Sequence, residues 1–190
     1  MFVPMEPAPP RTPAEEARIT AMVHAHFDFL WRCLRRMGLA AHAADDAAQQ
    51  VFLVASRRIA DIREGAERSF LFETARRVVS DANRTVAKRR ERMHDDDALD
   101  DARDQGPSPE DLVGHARALA LLDLVLASLE EDLRVVLVLF EIEGMEMGQI
   151  AEMLAIPAGT VASRLRRARG EFHSAAKRMQ ARTHFKEQGR

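Results

Sequence analysis

Between Gly159 and Phe172 the chain reads GTVASRLRRARGEF, so Arg164, Arg166, Arg167 and Arg169 crowd into half a dozen positions beside Thr160 and Ser163. Guanidinium groups at this density suit phosphate oxygens and base edges, because a planar fork of N–H donors matches both. A second basic run holds Arg76, Arg77, Arg84, Lys88, Arg89 and Arg90 against Asp81 and Glu91. Between the runs stands MHDDDALDDARDQGPSPED, residues 93–111, which is acidic and carries turn formers. The formal net charge is only −2, so positive charge is segregated rather than abundant. Charge runs are usually solvated helix faces, but two separate basic patches point towards a polyanion.

Other chemistries lack their residues. His24 and His26 are spaced HxH, yet no cluster of Cys, Asp or His completes a metal site, and none is expected. No glycine-rich phosphate loop or nucleophile motif is present, so neither a cofactor nor a catalytic residue is expected. The acidic run has no fixed ligand spacing and reads as solvated chain.

The elements that must position these arginines follow from composition and period. Hydrophobic residues make up 46 % of 190, with 9 Gly, 8 Pro, no Tyr and one Trp. Ala, Leu, Arg and Glu are abundant and β-branched residues sparse, which favours an all-α fold. The lone Cys33 cannot form an intramolecular disulfide, so a reduced, cytoplasmic setting is the simplest fit. No stretch approaches the roughly 18 apolar residues of a membrane span. The proline-broken start, MFVPMEPAPPRTPAEEAR, reads as a disordered tail over 1–17 rather than an export signal. Two small helical domains, 18–92 and 115–180, are expected, joined by a flexible acidic linker over 93–114 and followed by a basic tail over 181–190. The linker is expected to be a tether, and its acids can fold back on the basic lobes at high effective concentration.

In the second lobe Ile150, Ala151 and Leu154 share one side of a short helix, and AIPAGT then breaks the period. At about 100° per residue, Val161, Leu165, Ala168 and Phe172 form a narrow apolar stripe on a second helix. Thr160, Ser163, Arg166 and Arg167 fall opposite it, with Arg164 and Arg169 on the flanks. Two short helices across a tight turn make a helix-turn-helix, whose second member presents its N-terminal polar face to a major groove. Upstream, LRVVLVLF, 133–140, is β-branched and nearly all apolar, so pattern alone admits a buried strand; a lone strand would have no partner.

The segment LEEDLRVVLVLFEIEGMEMGQIAEMLAIPAGTVASRLRRARGEF, 129–172, resembles the C-terminal domain of bacterial sigma factors of the extracytoplasmic-function group. The resemblance is carried by Glu143-Gly144, Ile150-Ala151-Glu152, Gly159-Thr160-Val161, Ser163-Arg164-Leu165 and Arg167-Ala168-Arg169. It departs at Glu130, where Pro is usual, at Ala155, where Gly is usual, and at Glu146, where Ser is usual. The last change implies a weaker or shifted helix cap. The resemblance also favours a helix over 133–140.

The first lobe resembles the same family in the same order. ADDAAQQVFLVASRR, 44–58, is similar to its polymerase-binding helix through Asp45, Asp46, Gln49, Val51 and Phe52, with Gln50 where Glu is usual. On this helix Ala44, Ala48, Val51, Ala55 and Ile59 face inward, and Leu53 points out among Asp46, Gln49, Gln50 and Arg57. The polymerase-binding set implied is therefore Asp45, Asp46, Gln49, Gln50, Leu53 and Arg57. ERSFLFETARRVVSDANRTVAKRRE, 67–91, is similar to the promoter-melting helix, with Phe70 for the usual Trp and Arg77 for the usual Asn. Phe70 and Phe72 are expected to pack internally, as Phe usually does. The DNA-binding set is Arg76, Arg77, Arg84, Lys88, Arg89, Arg90, Thr160, Ser163, Arg164, Arg166 and Arg167. The resemblance implies a non-catalytic subunit that binds core RNA polymerase and promoter DNA, read as duplex by the second lobe and melted on the first. It also implies an anti-sigma protein partner and no insertion into a membrane. The competing expectation is a stand-alone helix-turn-helix repressor or activator, which binds its operator without polymerase.

Overall fold

A computed structural model describes residues 11–92 and 109–188, with side chains described for 11–82, 84 and 118–181. All regular structure among the described residues is helical. Helix α1 spans Pro13–Arg36 and so begins inside the stretch expected as tail. Its start is built locally: Thr12 Oγ1 accepts the Glu15 N–H at 3.2 Å and Glu15 Oε2 accepts the Thr12 N–H at 2.8 Å. Pro13 fills the first helical position, where its missing N–H costs nothing. Helix α2 spans Ala41–Arg57 and buries Ala44, Ala48, Val51 and Ala55, the face its period marks as inward. Four buried alanines on this helix let it lie close to its neighbours. A 3₁₀ turn, Ile59–Asp61, leads to α3, Glu67–Arg92, which buries Leu71, Phe72, Ala75 and Val79.

Arg18 of α1 ties these pieces together. It donates to the carbonyls of Ile59 at 3.0 Å and Ile62 at 2.5 Å and pairs with Glu67 at 2.7 Å. One cation thereby satisfies the free carbonyls of a turn and the carboxylate at the start of the next helix, where a negative charge also suits the helix dipole.

In the second half, α4 spans Pro109–Ala127 and begins inside the stretch expected as linker. Helix α5, Glu131–Leu137, widens into a π turn over Val138–Ile142. The run LRVVLVLF is therefore helical. Leu133 and Val135 to Leu139 are all buried, and a helix buried nearly all round has no polar face to announce its period. Gly144, at φ +64°, takes the left-handed turn out of this helix.

Helix α6 spans Met147–Leu154 and α7 spans Ala158–Gln188. At 31 residues α7 is long rather than short, and it runs through the segment expected as a basic tail as far as residue 188. The turn between them is a Schellman closure: Ile156 N–H reaches Ala151 O at 3.0 Å and Ala155 N–H reaches Glu152 O at 3.2 Å. Ala155 holds the left-handed position at φ +52° that glycine usually fills. At the head of α6, Gln149 Oε1 accepts the Glu146 N–H at 3.0 Å, so capping survives through the third helical residue despite the missing serine.

The two halves pack against each other. Buried residues form one continuous cluster through both, with α1 packed on α4 and α3 on α6. Polar ties cross as well. Arg32 grips Glu143 with two hydrogen bonds, 3.0 and 2.7 Å, Arg36 pairs with Asp123, and Arg134 donates to the Met37 carbonyl at 2.9 Å. Residues 93–108, the body of the expected tether, lie outside the described residues.

Candidate nucleic-acid and partner interfaces

Helix α7 docks through Val161, Leu165 and Ala168, all buried, which leaves its polar side outward over the first turns. Thr160 is half-buried, and Ser163 is exposed with its hydroxyl donating to the Thr160 carbonyl at 3.0 Å. Arg166 is exposed and has no carboxylate partner among the described residues. The other arginines are engaged within the chain. Arg164 meets Asp132 at 2.5 Å, and Arg167 meets Glu171 at 2.8 Å and Glu130 at 3.3 Å. Arg169 meets Glu141 at 2.6 Å and lies over the Phe140 ring. The helical wheel puts Arg164 and Arg169 on the flanks, and the fold brings acids of α5 and its π turn to both.

On α3, Arg76 is half-buried and reaches across to Glu131 at 3.4 Å and Asp132 at 3.2 Å. Arg77 is exposed and pairs with Glu73 one turn away. Arg84 is exposed, 3.9 Å from Asp81. Helix α3 continues past Lys88, Arg89 and Arg90, whose side chains lie outside the described residues.

Beside Arg77 an open cleft of about 460 Å³ separates α2 from α3, lined by Val54, Arg58, Phe70, Thr74 and Val78. The Arg58 guanidinium stands 5.4 Å from the Phe70 ring centre. This corrects the expectation that both phenylalanines pack internally. Phe72 is core, 6.2 Å from Phe29, whereas Phe70 is half-buried in the cleft wall. Arg58 has no place in the sequence-based set, because its meeting with Phe70 depends on how two helices cross and not on spacing.

The outer face of α2 carries Asp46, Gln49, Gln50, Leu53 and Arg57, all exposed, with Leu53 47 % accessible. Asp45 lies beside them but accepts the Trp31 indole N–H at 2.8 Å, which fastens α2 to α1. Phe27, also exposed, stacks on Phe52 with ring centres 6.3 Å apart and adds apolar surface that the α2 sequence does not reveal. Among the described residues no three His, Cys, Asp or Glu side chains gather where they would hold a metal. Cys33 is buried, and burial pushes its thiol up, away from the reactive thiolate. No described helix is long and apolar enough to cross a membrane.

Known proteins align with this architecture. Residues 119–171 match the family described as sigma-70, region 4. The RNA polymerase sigma-H factor of Pseudomonas aeruginosa is 32 % identical over 68 % of this chain and 70 % of its own length. The ECF RNA polymerase sigma factor SigL of Mycobacterium tuberculosis is 32 % identical over 80 % of this chain and 85 % of its own. SigE of Mycolicibacterium smegmatis, also an ECF sigma factor, is 28 % identical over 80 % of this chain, which spans only 58 % of SigE. Two solved structures share the fold. The sigma factor RpoE, in complex with the anti-sigma factor NepR from Bartonella quintana, superposes with a TM-score of 0.63 at 17 % identity, covering 87 % of this chain and 98 % of RpoE. CnrH, in complex with the cytosolic domain of CnrY, superposes with a TM-score of 0.62 at 22 % identity, covering 84 % of this chain and 87 % of CnrH. With a region-4 match on the helix-turn-helix and two relatives above 30 % identity along most of the sequence, the chain belongs to the extracytoplasmic-function group of bacterial RNA polymerase sigma factors.

Proposed function

We propose that the protein docks on core RNA polymerase through the outer face of α2 and directs initiation at particular promoters. The observation that carries this reading is Leu53, exposed and ringed by Asp46, Gln49, Gln50 and Arg57, on a chain that also holds a helix-turn-helix. An apolar anchor inside a polar rim is the composition of a protein interface, and the neighbouring Phe27–Phe52 stack widens it.

Promoter contact divides between the lobes. The first turns of α7 enter the major groove of the upstream element, led by Arg166 with Thr160, Ser163, Arg164 and Arg167 around it. Arg76, Arg77, Arg84, Lys88, Arg89 and Arg90 on α3 hold the melted strand. The cleft beside Phe70 receives an unstacked base against an aromatic edge and the Arg58 and Arg77 cations. Chemistry is left to the polymerase. An anti-sigma protein is a further partner, since RpoE, which shares the fold, is held by NepR.

The test is co-purification with core polymerase of the wild type and of Asp46→Ala with Leu53→Asp. Both substituted side chains are exposed, so helical content and thermal unfolding should stay near wild type while polymerase binding is lost. A double variant that binds polymerase like the wild type would remove this face from the interface.

A further inference from the structure

The junction of α4 and α5 carries Glu130, Glu131 and Asp132 in succession. These three acids lie between the two elements assigned to promoter DNA. Asp132 accepts Arg76 of α3 on one carboxylate oxygen, at 3.2 Å, and Arg164 of α7 on the other, at 2.5 Å. Glu131 adds a second acceptor for Arg76 at 3.4 Å, and Glu130 takes Arg167 at 3.3 Å. Three arginines from two lobes thus converge on one acidic turn, and a carboxylate stands where a phosphate would be gripped. Glu130 occupies a position where the family usually has Pro, so part of this cluster is particular to this chain.

We infer that the Glu130–Glu131–Asp132 turn is an internal competitor for DNA, which keeps Arg76, Arg164 and Arg167 occupied while the lobes are closed. Closure has its own ties, in Arg32–Glu143, Arg36–Asp123 and Arg134 on the Met37 carbonyl. It is also imperfect. The Nε of Arg76 and the Nε of Arg134 are buried without a hydrogen-bond partner among the described residues. An orphaned buried donor costs free energy, so separating the lobes relieves a penalty as well as breaking ion pairs. That step frees Arg76 from Glu131 and Asp132, whereas Arg164 and Arg167 share a lobe with the acids and are freed only when DNA displaces the carboxylates. The inference rests on the proposed assignment of these arginines to DNA.

The experiment measures binding of the free, full-length protein to a labelled random-sequence DNA duplex by fluorescence anisotropy over a range of salt. The test chain carries Glu130→Gln, Glu131→Gln and Asp132→Asn. A control chain carries Glu16→Gln, Glu64→Gln and Glu152→Gln, which removes the same charge from exposed acids with no ion pair to Arg76, Arg164 or Arg167. The test chain should bind about tenfold tighter than the control at low salt. Its plot of log affinity against log salt should be steeper by about two to three units, because each released arginine adds about 0.9. Equal affinity and slope in the two chains would overturn the inference, since net charge alone would then explain any gain. Should the triple variant fail to fold, Asp132→Asn alone, nearly isosteric and still an acceptor, decides the matter in the same comparison. A third chain joins Arg76→Ala, Arg164→Ala and Arg167→Ala to the three neutralised acids, which separates this idea from the assignment beneath it. If its DNA affinity equals that of the test chain, the arginines do not meet DNA and both ideas fall. If its affinity drops below that of the test chain while the test chain binds no tighter than the control, the assignment stands and the competitor does not.

Discussion

Arg164 and Arg166 sit two positions apart on α7, yet one is tied to Asp132 and the other faces solvent unpaired among the described residues. On the proposed assignment, Arg166 meets DNA without first giving up a carboxylate partner. Arg166→Ala should leave thermal unfolding unchanged and cost about 1–3 kcal/mol of promoter affinity with relaxed sequence choice, as loss of a base contact does. Footprinting of a promoter with holoenzyme reads this, and an unchanged footprint would move the reading role off this residue.

Arg18 shows the opposite case, a residue whose work is internal. Arg18→Ala removes the acceptor-filled fork from two carbonyls and Glu67, and should destabilise the first lobe by about 2 kcal/mol in denaturant unfolding. Burial pushes the Glu67 carboxyl up, but Arg18 and nearby backbone N–H groups pull harder and leave it below the usual value. A depressed folded-state value means that the unfolded chain takes up the proton first. The stabilisation is present in full above the ordinary glutamate range and is lost as pH falls through the folded value. Glu67→Gln should therefore flatten the acid limb of the stability curve, and a limb unchanged by that substitution would contradict the assignment. The helical wheel makes Arg166 legible in the sequence, because it needs only period. It does not reveal the partners of Arg18 or Arg164, which lie tens of residues away and depend on how helices cross.

At the scale of elements, legibility follows the kind of signal each helix carries. Helix α2 buries the face that its alanines and Val51 mark, because an amphipathic period survives in any packed fold. The start of α1 is written as Thr12-Pro13 with Glu15 two residues on, a complete capping box set inside a proline-rich stretch that otherwise reads as disordered. Helix α5 and its π turn are opaque by pattern because burial on all sides erases the period. The turn between α6 and α7 is legible with its flaw, since Ala155 takes a left-handed position made for glycine. That conformation costs a non-glycine residue about 1–2 kcal/mol, while glycine gives back part of the gain by loosening the unfolded chain. Ala155→Gly should raise stability by about 0.5–1 kcal/mol, visible as a higher midpoint of thermal unfolding with the same spectrum. A lower midpoint would mean that the alanine methyl makes a contact worth more than the strain.

For the whole molecule, the order of the two lobes and the helix-turn-helix are legible because each lobe carries local motifs. Their closure is not. Arg32 and Glu143 are 111 positions apart, and the Glu143 carboxylate, only 2 % exposed, is paired by a helix of the other lobe. Stranding that carboxylate is costly, so the pair fixes register between the lobes as well as adding stability. If α2 carries the proposed anchor and α7 the proposed reader, a chain closed in this way must open before both lobes lie on one promoter. Transcription in vitro with purified core polymerase and a library of promoter sequences tests that account most directly. The wild-type chain should enrich transcripts from a defined promoter class, and Asp46→Ala with Leu53→Asp should abolish them with the fold intact. A wild-type chain that never engages polymerase, yet holds a DNA operator tightly by itself, would contradict it.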